Sequence, residues 1–465
     1  MRIAVVGCGY VGLATGVVLA HLCNKVSCLD TDRNRILVLQ NGKAPFLEPG
    51  LEELLAILRP RLSFTSDYAD AIPRAQAVFF AVGTPPADDG SSDLSQLWES
   101  ARTAGQHIGV DCRVLVVRST VPPGTGGLVR ELVMESYRKR TGRDFPRKLP
   151  LVSNPEFLRE GSALRDAFYP ERIIAGADEP EGLEVVGQLY RPLLEQSFPP
   201  PRWFPRPRGL QAVPLVTMNR ASAELTKYAA NVFLATKVSF INEIGCLAER
   251  LGADVTQVAE GMGLDPRIGS RFLQAGIGWG GPCLGKDLSA LLAVARAEGT
   301  ALRIAEATKA VNEMQRQQAV ATLKAELGTL DGRTVTLLGL AFKPHTDEVR
   351  DAPALHIAAR LLDEGAVVKA HDPAATDRAR SEHPWNGIIY CADPIEAVRD
   401  SDAVVLATEW PEYRSLPWTE VRGLVRNPLV LDGRNFLDPT QLQAAGFRYV
   451  GIGRFPGRTH GKVGE

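Results

Sequence analysis

Ile3-Ala4-Val5-Val6-Gly7-Cys8-Gly9-Tyr10-Val11-Gly12 begins as an unbroken apolar run and ends in three glycines spaced G-x-G-x-x-G. The run predicts a strand buried on both faces, and the glycines predict its turn into a helix. Gly7 permits the tight turn, Gly9 lets backbone approach a pyrophosphate, and Gly12 lets the helix pack on the strand. Phosphates would then sit on the helix amino terminus, where unpaired N–H groups and the dipole favour anions. Asp30 follows the next apolar run, eighteen residues beyond Gly12. A carboxylate there binds a ribose hydroxyl and repels a 2′-phosphate, so the expected cofactor is NAD. A G-x-G-x-x-G alone is also an ordinary glycine turn; strand, helix and acid together make the dinucleotide reading.

Working outward, apolar runs at 3 to 6, 26 to 29, 77 to 82, 114 to 118 and 151 to 153 alternate with helical patterns. That alternation is the signature of a parallel sheet wrapped by helices. A second alternating set starts near 333, with TVTLLGLAF, AVVKAHDP, SDAVVLATEW and PLVLDGRN as its strands. Between the two sets, 222 to 251 contains no proline and a single glycine, predicting one long helix. Residues 197 to 214 carry six prolines and predict a surface connection. The expected class is therefore α/β, with two doubly wound Rossmann-like domains joined by a helical central domain with a long helix. The expected boundaries are 1–205 for the NAD-binding domain, 215–325 for the central dimerisation and catalytic domain, and 330–455 for the second Rossmann-like domain. Residues 456–465 are expected to form a flexible tail.

Composition narrows the function classes. Lys plus Arg number 53 against 54 Asp plus Glu, a net charge of −1, which does not support a nucleic-acid surface. The seven cysteines lack CxxC spacing, so reduced thiols in a cytoplasmic protein are expected, with no disulfide frame and no metal site. Glycines at 7, 9, 12 and 16 break the only stretch that resembles a signal peptide or membrane helix. No membrane partner is expected.

Candidate chemistry gathers in the loops and the middle. Thr84 and Thr120 follow strand ends, where their hydroxyls either touch a cofactor or cap turns. Glu156 and Glu160 are four apart and would share a face on a helix; an exposed acidic turn explains them as well. Lys227 and Asn231 repeat that spacing on the long helix, and a Lys inside an apolar run is costly unless paired or used. From Gly276 to Asp287 the sequence is GIGWGGPCLGKD. Its glycines free the backbone to approach a ligand, and the Lys286 ammonium near Cys283 favours thiolate. If a helix starts at the cysteine, Asp287 lies one turn on, over the sulfur. A nucleophilic cysteine with NAD implies aldehyde oxidation through a thiohemiacetal and a thioester, with Lys227 and Asn231 stabilising the alkoxide.

With these residues in view, the chain resembles the UDP-glucose/GDP-mannose dehydrogenase family. The likeness spans nearly the whole length: GCGYVG, VGTP, STVPPGT, NPEFLREG, AELTKYAANVFLATKVSFINE, GGPCLGKD, LGLAFKPHTDEVRDAP and DGRN occur in the family's order. The resemblance implies oxidation of a sugar's primary alcohol to a uronic acid with two NAD per cycle. UDP-glucose is the expected substrate; GDP-mannose and a UDP-N-acetylhexosamine are the alternatives. It implies Cys283 as nucleophile, Lys227 and Asn231 as alkoxide stabilisers, and Asp287, Glu156 and Thr120 in water and proton handling. Cofactor roles fall on Tyr10, Val11, Asp30, Arg35, Thr84, Thr120, Glu160, Lys286 and Arg350, beside Gly7, Gly9 and Gly12. Substrate roles fall on Glu156, Phe157, Leu158, Lys227, Asn231, Phe272, Gly280, Lys343 and Arg434, with Arg267 reaching a neighbouring subunit's substrate.

The chain departs from the family pattern at Arg35, Trp279, Pro282 and Gly285, which leaves sugar preference open but removes no catalytic group. The resemblance also implies a homodimer, and apolar positions on the long helix such as Val232, Phe233, Val238, Ile241 and Ile244 serve either an interface or their own core. Two other readings compete. A single-step 3-hydroxyacid dehydrogenase has no need of Cys283, and an NAD-sensing scaffold leaves the Cys283 to Asp287 group idle.

Overall fold

The computed structural model describes residues 1–385 and 387–454; the tail expected at 456–465 lies outside the described residues. The chain forms two compact units, one of Met1–Ala230 with Ser289–Glu298, the other of Asn231–Leu288 with the chain from Gly299 on.

The first unit is built on a sheet of β1 (Arg2–Val6), β2 (Lys25–Leu29), β3 (Leu62–Thr65), β4 (Ala77–Phe80), β5 (Val114–Val117), β6 (Leu151–Ser153), β7 (Ile173–Ala177) and β8 (Leu215–Met218). Its order is β3-β2-β1-β4-β5-β6-β7-β8, parallel except between β6 and β7. Every residue of β4, β5 and β6 is buried, as helices on both faces of a parallel sheet require. The strand order reverses at β1, which pairs with β2 on one side and β4 on the other. The glycine turn leaves β1 at that switch point, where doubly wound sheets bind ligands.

The second unit has a fully parallel sheet ordered β11-β10-β9-β12-β13-β14. Its strands are β9 (Thr334–Leu338), β10 (Val367–His371), β11 (Ile388–Tyr390), β12 (Ala403–Leu406), β13 (Leu429–Asp432) and β14 (Arg448–Gly451). Its two faces carry separate apolar cores, one around Leu337, Val368 and Ile357, the other around Val404, Tyr413 and Trp418. The helical middle comprises Arg220–Leu251, Val255–Gly263, Leu284–Ala297 and Arg303–Leu327. The fold class is thus α/β, with two parallel-sheet domains and a helical centre.

Five strands escaped the sequence reading: β3, β7, β8, β11 and β14. β8 and β11 have no fully buried residue, so they lack the apolar run that marked the others. The proline-rich stretch from 197 is irregular as expected, yet it is anchored. Phe198 and Phe204 are buried and stack on Phe168 at centroid distances of 5.8 and 6.2 Å. The Tyr169 hydroxyl donates to the Phe204 carbonyl at 2.7 Å.

Candidate active site

The turn after β1 has the shape its glycines predict. Gly7 adopts φ +101°, and a Cβ there would stand 2.5 Å from the Ala81 carbonyl oxygen. A Cβ on Gly12 would lie 1.9 Å from the Gly7 oxygen, whereas one on Gly9 would meet nothing within 4 Å. Gly7 and Gly12 are therefore demanded by the protein itself, and Gly9 leaves an open face at the start of the helix Tyr10–His21. Asp30 sits beside this face. Its Oδ2 accepts from the Cys8 N–H at 2.7 Å and from Arg35 Nη1 at 2.9 Å, and its Oδ1 accepts from the Asp32 N–H at 3.0 Å. The Tyr10 ring stacks on Phe46 with centroids 3.7 Å apart, and the Thr84 hydroxyl donates to the Thr120 carbonyl at 2.8 Å. An open anion-binding helix end with a held carboxylate beside it fits a dinucleotide.

Further along the same sheet, Lys227 and Glu156 form a buried ion pair at 3.2 Å, their side chains 5% and 7% exposed. Glu156 also accepts from the Leu158 N–H, and the Lys227 ammonium lies 5.3 Å from the Phe157 ring centroid. The segment carrying Glu156 and Glu160 is not helical; the helix begins only at Ala163. Pro155 and the left-handed Gly161, φ +75°, hold the stretch open, so the two glutamates do not share a helix face. Arg118 fixes this segment by donating to the Asn154 and Pro155 carbonyls at 3.0 and 3.3 Å. A small cavity is lined by Ser119, Thr120, Val121, Ser153, Pro155, Glu224 and Lys227. Glu224 accepts from the Gly124 and Gly126 N–H groups at 2.6 and 3.1 Å and from the Ser153 hydroxyl at 2.6 Å. Burial pushes its carboxyl up despite those bonds.

In the second unit, Cys283 is exposed and stands immediately before the helix Leu284–Ala297. The Asp287 N–H donates to the Cys283 carbonyl at 2.9 Å, so the helical turn between them is formed. Asp287, 1% exposed, accepts from Asn231 Nδ2 at 2.6 Å and from Lys286 Nζ at 2.7 Å. Cys283 therefore stands at a helix amino terminus, and the ammonium of the nearby Lys286 is engaged by Asp287. The loop before it is held by Asn312, which accepts from the Trp279 N–H at 2.8 Å and donates to the Trp279 carbonyl at 3.0 Å.

The second sheet has its own turn, and it is closed. Gly339 takes φ +102°, but the Leu340 and Ala341 N–H groups donate to Asp372 Oδ2 at 2.7 and 3.0 Å. A side-chain carboxylate thus occupies the amides that a phosphate would use. Arg434 donates to the Ala407, Gly278 and Phe342 carbonyls at 2.7, 3.1 and 3.4 Å, bridging the thiol loop to the end of β12. The Lys343 ammonium lies 5.3 Å from the Phe342 centroid, and Arg350 pairs with Glu348 at 2.5 Å. Arg267 is 87% exposed and pairs with Asp265, and Phe272 takes the left-handed φ +64°. A Cβ on Gly280 would stand 2.2 Å from the Asp351 carbonyl oxygen.

Sequence reasoning did not find Arg118, Asn154, Glu224, Asn312, Arg316 or Asp351. Each acts on the site through a partner distant in sequence, and no local spacing marks such a residue.

A doubly wound sheet with an open glycine turn at its switch point defines a dinucleotide-binding protein of the Rossmann type. Residues 1–194, 221–314 and 336–439 match, in turn, the NAD binding, central and UDP binding domains of the UDP-glucose/GDP-mannose dehydrogenase family, and the chain belongs to that family. It is 42% identical to UDP-glucose 6-dehydrogenase TuaD of Bacillus subtilis, over 97% of this chain and 93% of that one. The identity to a UDP-glucose 6-dehydrogenase of Pseudomonas aeruginosa is also 42%, over 98% of each chain. A solved UDP-glucose dehydrogenase from Pyrobaculum islandicum is similar with a TM-score of 0.86 and 38% identity, covering 97% of this chain and 98% of that one.

Proposed function

We propose that the protein oxidises UDP-glucose to UDP-glucuronate, a four-electron oxidation with a covalent stage on Cys283. The observation that carries this reading is the exposed Cys283 at a helix amino terminus with Asp287 one turn on. The glycine turn and Asp30, with Tyr10, Val11, Arg35, Thr84 and Glu160, would hold NAD. Bound NAD supplies a hydride acceptor, used once for alcohol to aldehyde and once for the adduct, two NAD per cycle.

The chain's own residues do the rest. The Cys283 thiolate adds to the aldehyde carbon, giving a thiohemiacetal whose oxygen carries the negative charge. Lys227 and Asn231, one turn apart on their helix, stabilise that oxygen. Loss of a hydride from the adduct leaves a thioester. Water, positioned by Asp287, Glu156 and Thr120, adds to the thioester carbonyl, and the C–S bond breaks to give the carboxylate and restore the thiol. A single-step hydroxyacid dehydrogenase leaves no role for the thiol, and a scaffold leaves none for the buried Lys227–Glu156 pair.

A nucleotide sugar brings two phosphate charges to a protein of net charge −1, so local cations must hold it. Lys343, Arg434 and Arg267, with Phe272 against the base, are assigned that task, and Lys286 and Arg350 serve the cofactor. A homodimer is part of this reading. Val232 and Ile241 are buried within the chain, but Phe233, Phe240, Leu247 and Leu251 are exposed along the long helix, an apolar stripe suited to a second copy. The seven cysteines form no disulfide, which suits a reducing, cytoplasmic setting.

The test is a panel of UDP-glucose, GDP-mannose and UDP-N-acetylhexosamines assayed for NADH. Fastest turnover of UDP-glucose is the expected result, and faster turnover of another sugar overturns the substrate assignment.

A further inference from the structure

The loop that delivers Cys283 is held from the outside by two residues that the chemistry itself does not use. Arg316 lies on the helix Arg303–Leu327 and is 5% exposed. One arm of its guanidinium, Nη2, donates to the Trp279 carbonyl at 2.9 Å; the other, Nη1, donates to Asp351 Oδ1 at 2.9 Å. Asp351 in turn reaches the loop at two places. Its carbonyl oxygen would stand 2.2 Å from a Cβ on Gly280, and its Oδ2 would stand 3.1 Å from a Cβ on Gly285. Gly280 and Gly285 bracket the thiol, three residues before it and two after. Gly280 cannot gain a side chain without moving the Asp351 backbone or the loop, and Gly285 could gain one only if the Asp351 carboxylate gave by a few tenths of an ångström.

Asp351 is itself fixed. It takes φ +50°, a conformation that persists only when the surroundings over-determine it. His356 Nε2 adds a bond to its Oδ1 at 2.8 Å.

We infer that Asp351 and Arg316 are positioning residues for the Cys283 nucleophile, clamping its loop on both sides through Trp279, Gly280 and Gly285. The inference rests on the covalent reading above and adds to it the device that aims the sulfur. Neither side chain is assigned to substrate or cofactor, so loosening the clamp acts chiefly on the chemical step and much less on binding. A guanidinium fork is needed because the two acceptors are met by different nitrogens; an ammonium keeps the charge but cannot span both in this geometry.

The test uses the full-length protein as Asp351→Asn, Arg316→Lys and Cys283→Ser. In the first two, kcat with UDP-glucose and NAD should fall by about tenfold to a hundredfold, the usual effect of misplacing a reacting group by about an ångström. KM for both should stay within about twofold, because neither altered side chain is assigned to substrate or cofactor. Alkylation of Cys283 by iodoacetamide, read at that peptide by mass spectrometry, should slow in parallel, since an already exposed thiol gains no access but loses its alignment on the helix end. Should Asp351→Asn fail to fold, Arg316→Lys carries the test alone. Wild-type kcat in both variants overturns the inference, as does a fall in kcat with unchanged alkylation, which would mark a merely structural role. Cys283→Ser separates the two claims: if it still releases uronate, the covalent reading fails; if it is inactive while the clamp variants run at full speed, only the positioning claim fails.

Discussion

Asn231 Nδ2 donates to Asp287 Oδ2 at 2.6 Å, joining the long helix to the first turn of the helix that follows Cys283. Lys286 holds the other carboxylate oxygen, so Asp287 is bound on both sides and 1% exposed. Asp287→Asn removes the negative charge that Lys286 faces and the group assigned to water. Its kcat should fall by about a hundredfold or more, the range for losing a positioned proton-handling group, with UDP-glucose still bound in calorimetry. An unimpaired kcat would remove Asp287 from the mechanism.

Two of the turn glycines, Gly9 and Gly12, should separate by experiment. A Cβ on Gly9 meets nothing within 4 Å, but one on Gly12 meets the Gly7 oxygen at 1.9 Å. Gly9→Ala should therefore keep the wild-type melting temperature and lose NAD affinity, because the methyl group projects where the pyrophosphate approaches. Gly12→Ala should melt lower, since the helix must move off β1. Equal melting temperatures with equal NAD binding would contradict the assignment of the open face.

The Lys227–Glu156 pair is buried on both sides. Removing one partner of such a pair costs about 3–5 kcal/mol, whereas replacing both with uncharged groups costs much less. Lys227→Met should lower stability toward the small end of that range, as Glu156 keeps the Leu158 N–H. The double variant Lys227→Met, Glu156→Gln should regain part of the loss in urea melts while remaining inactive. Strict additivity would show that the two charges are not coupled.

Stability should respond to acid through Glu348. Burial pushes its carboxyl up, but the hydrogen bond and charge of Arg350 and the charge of Arg378 outweigh burial and hold it below the usual range. A carboxyl depressed in the folded state contributes stability above its unfolded pKa and loses it as pH falls through the folded value. Glu348→Gln should therefore melt below wild type at neutral pH, and the gap should close on acidification, once both side chains are uncharged. A gap independent of pH would rule out the ionised pair as its source.

Much of this was legible in the sequence, for physical reasons that differ by element. β1, β4 and β5 read clearly because strands covered on both faces must be apolar throughout, and the turn after β1 read clearly because Gly7 and Gly12 are forced by backbone contacts. The spacing of Cys283 and Asp287 suited a helical turn on condition that a helix began at the cysteine, and the Asp287 N–H to Cys283 carbonyl bond meets that condition. β8 and β11 did not read, since edge positions leave their residues partly in water. Phe198 and Phe204 were hidden among prolines, which announce a loop but not that its aromatic residues anchor it in a core. Glu156 and Glu160 suggested a helix face, but Pro155 and the left-handed Gly161 keep that segment out of a helix. Glu224, Arg316 and Asp351 were invisible because their partners are set by tertiary packing.

The central claim is that one thiol carries a half-oxidised sugar between two hydride transfers. The direct measurement is NADH released per UDP-glucose consumed, followed to completion with nucleotide sugars quantified by chromatography. Two NADH with UDP-glucuronate as the sole product is the predicted result. One NADH per sugar, with a free aldehyde or ketone accumulating, would contradict it.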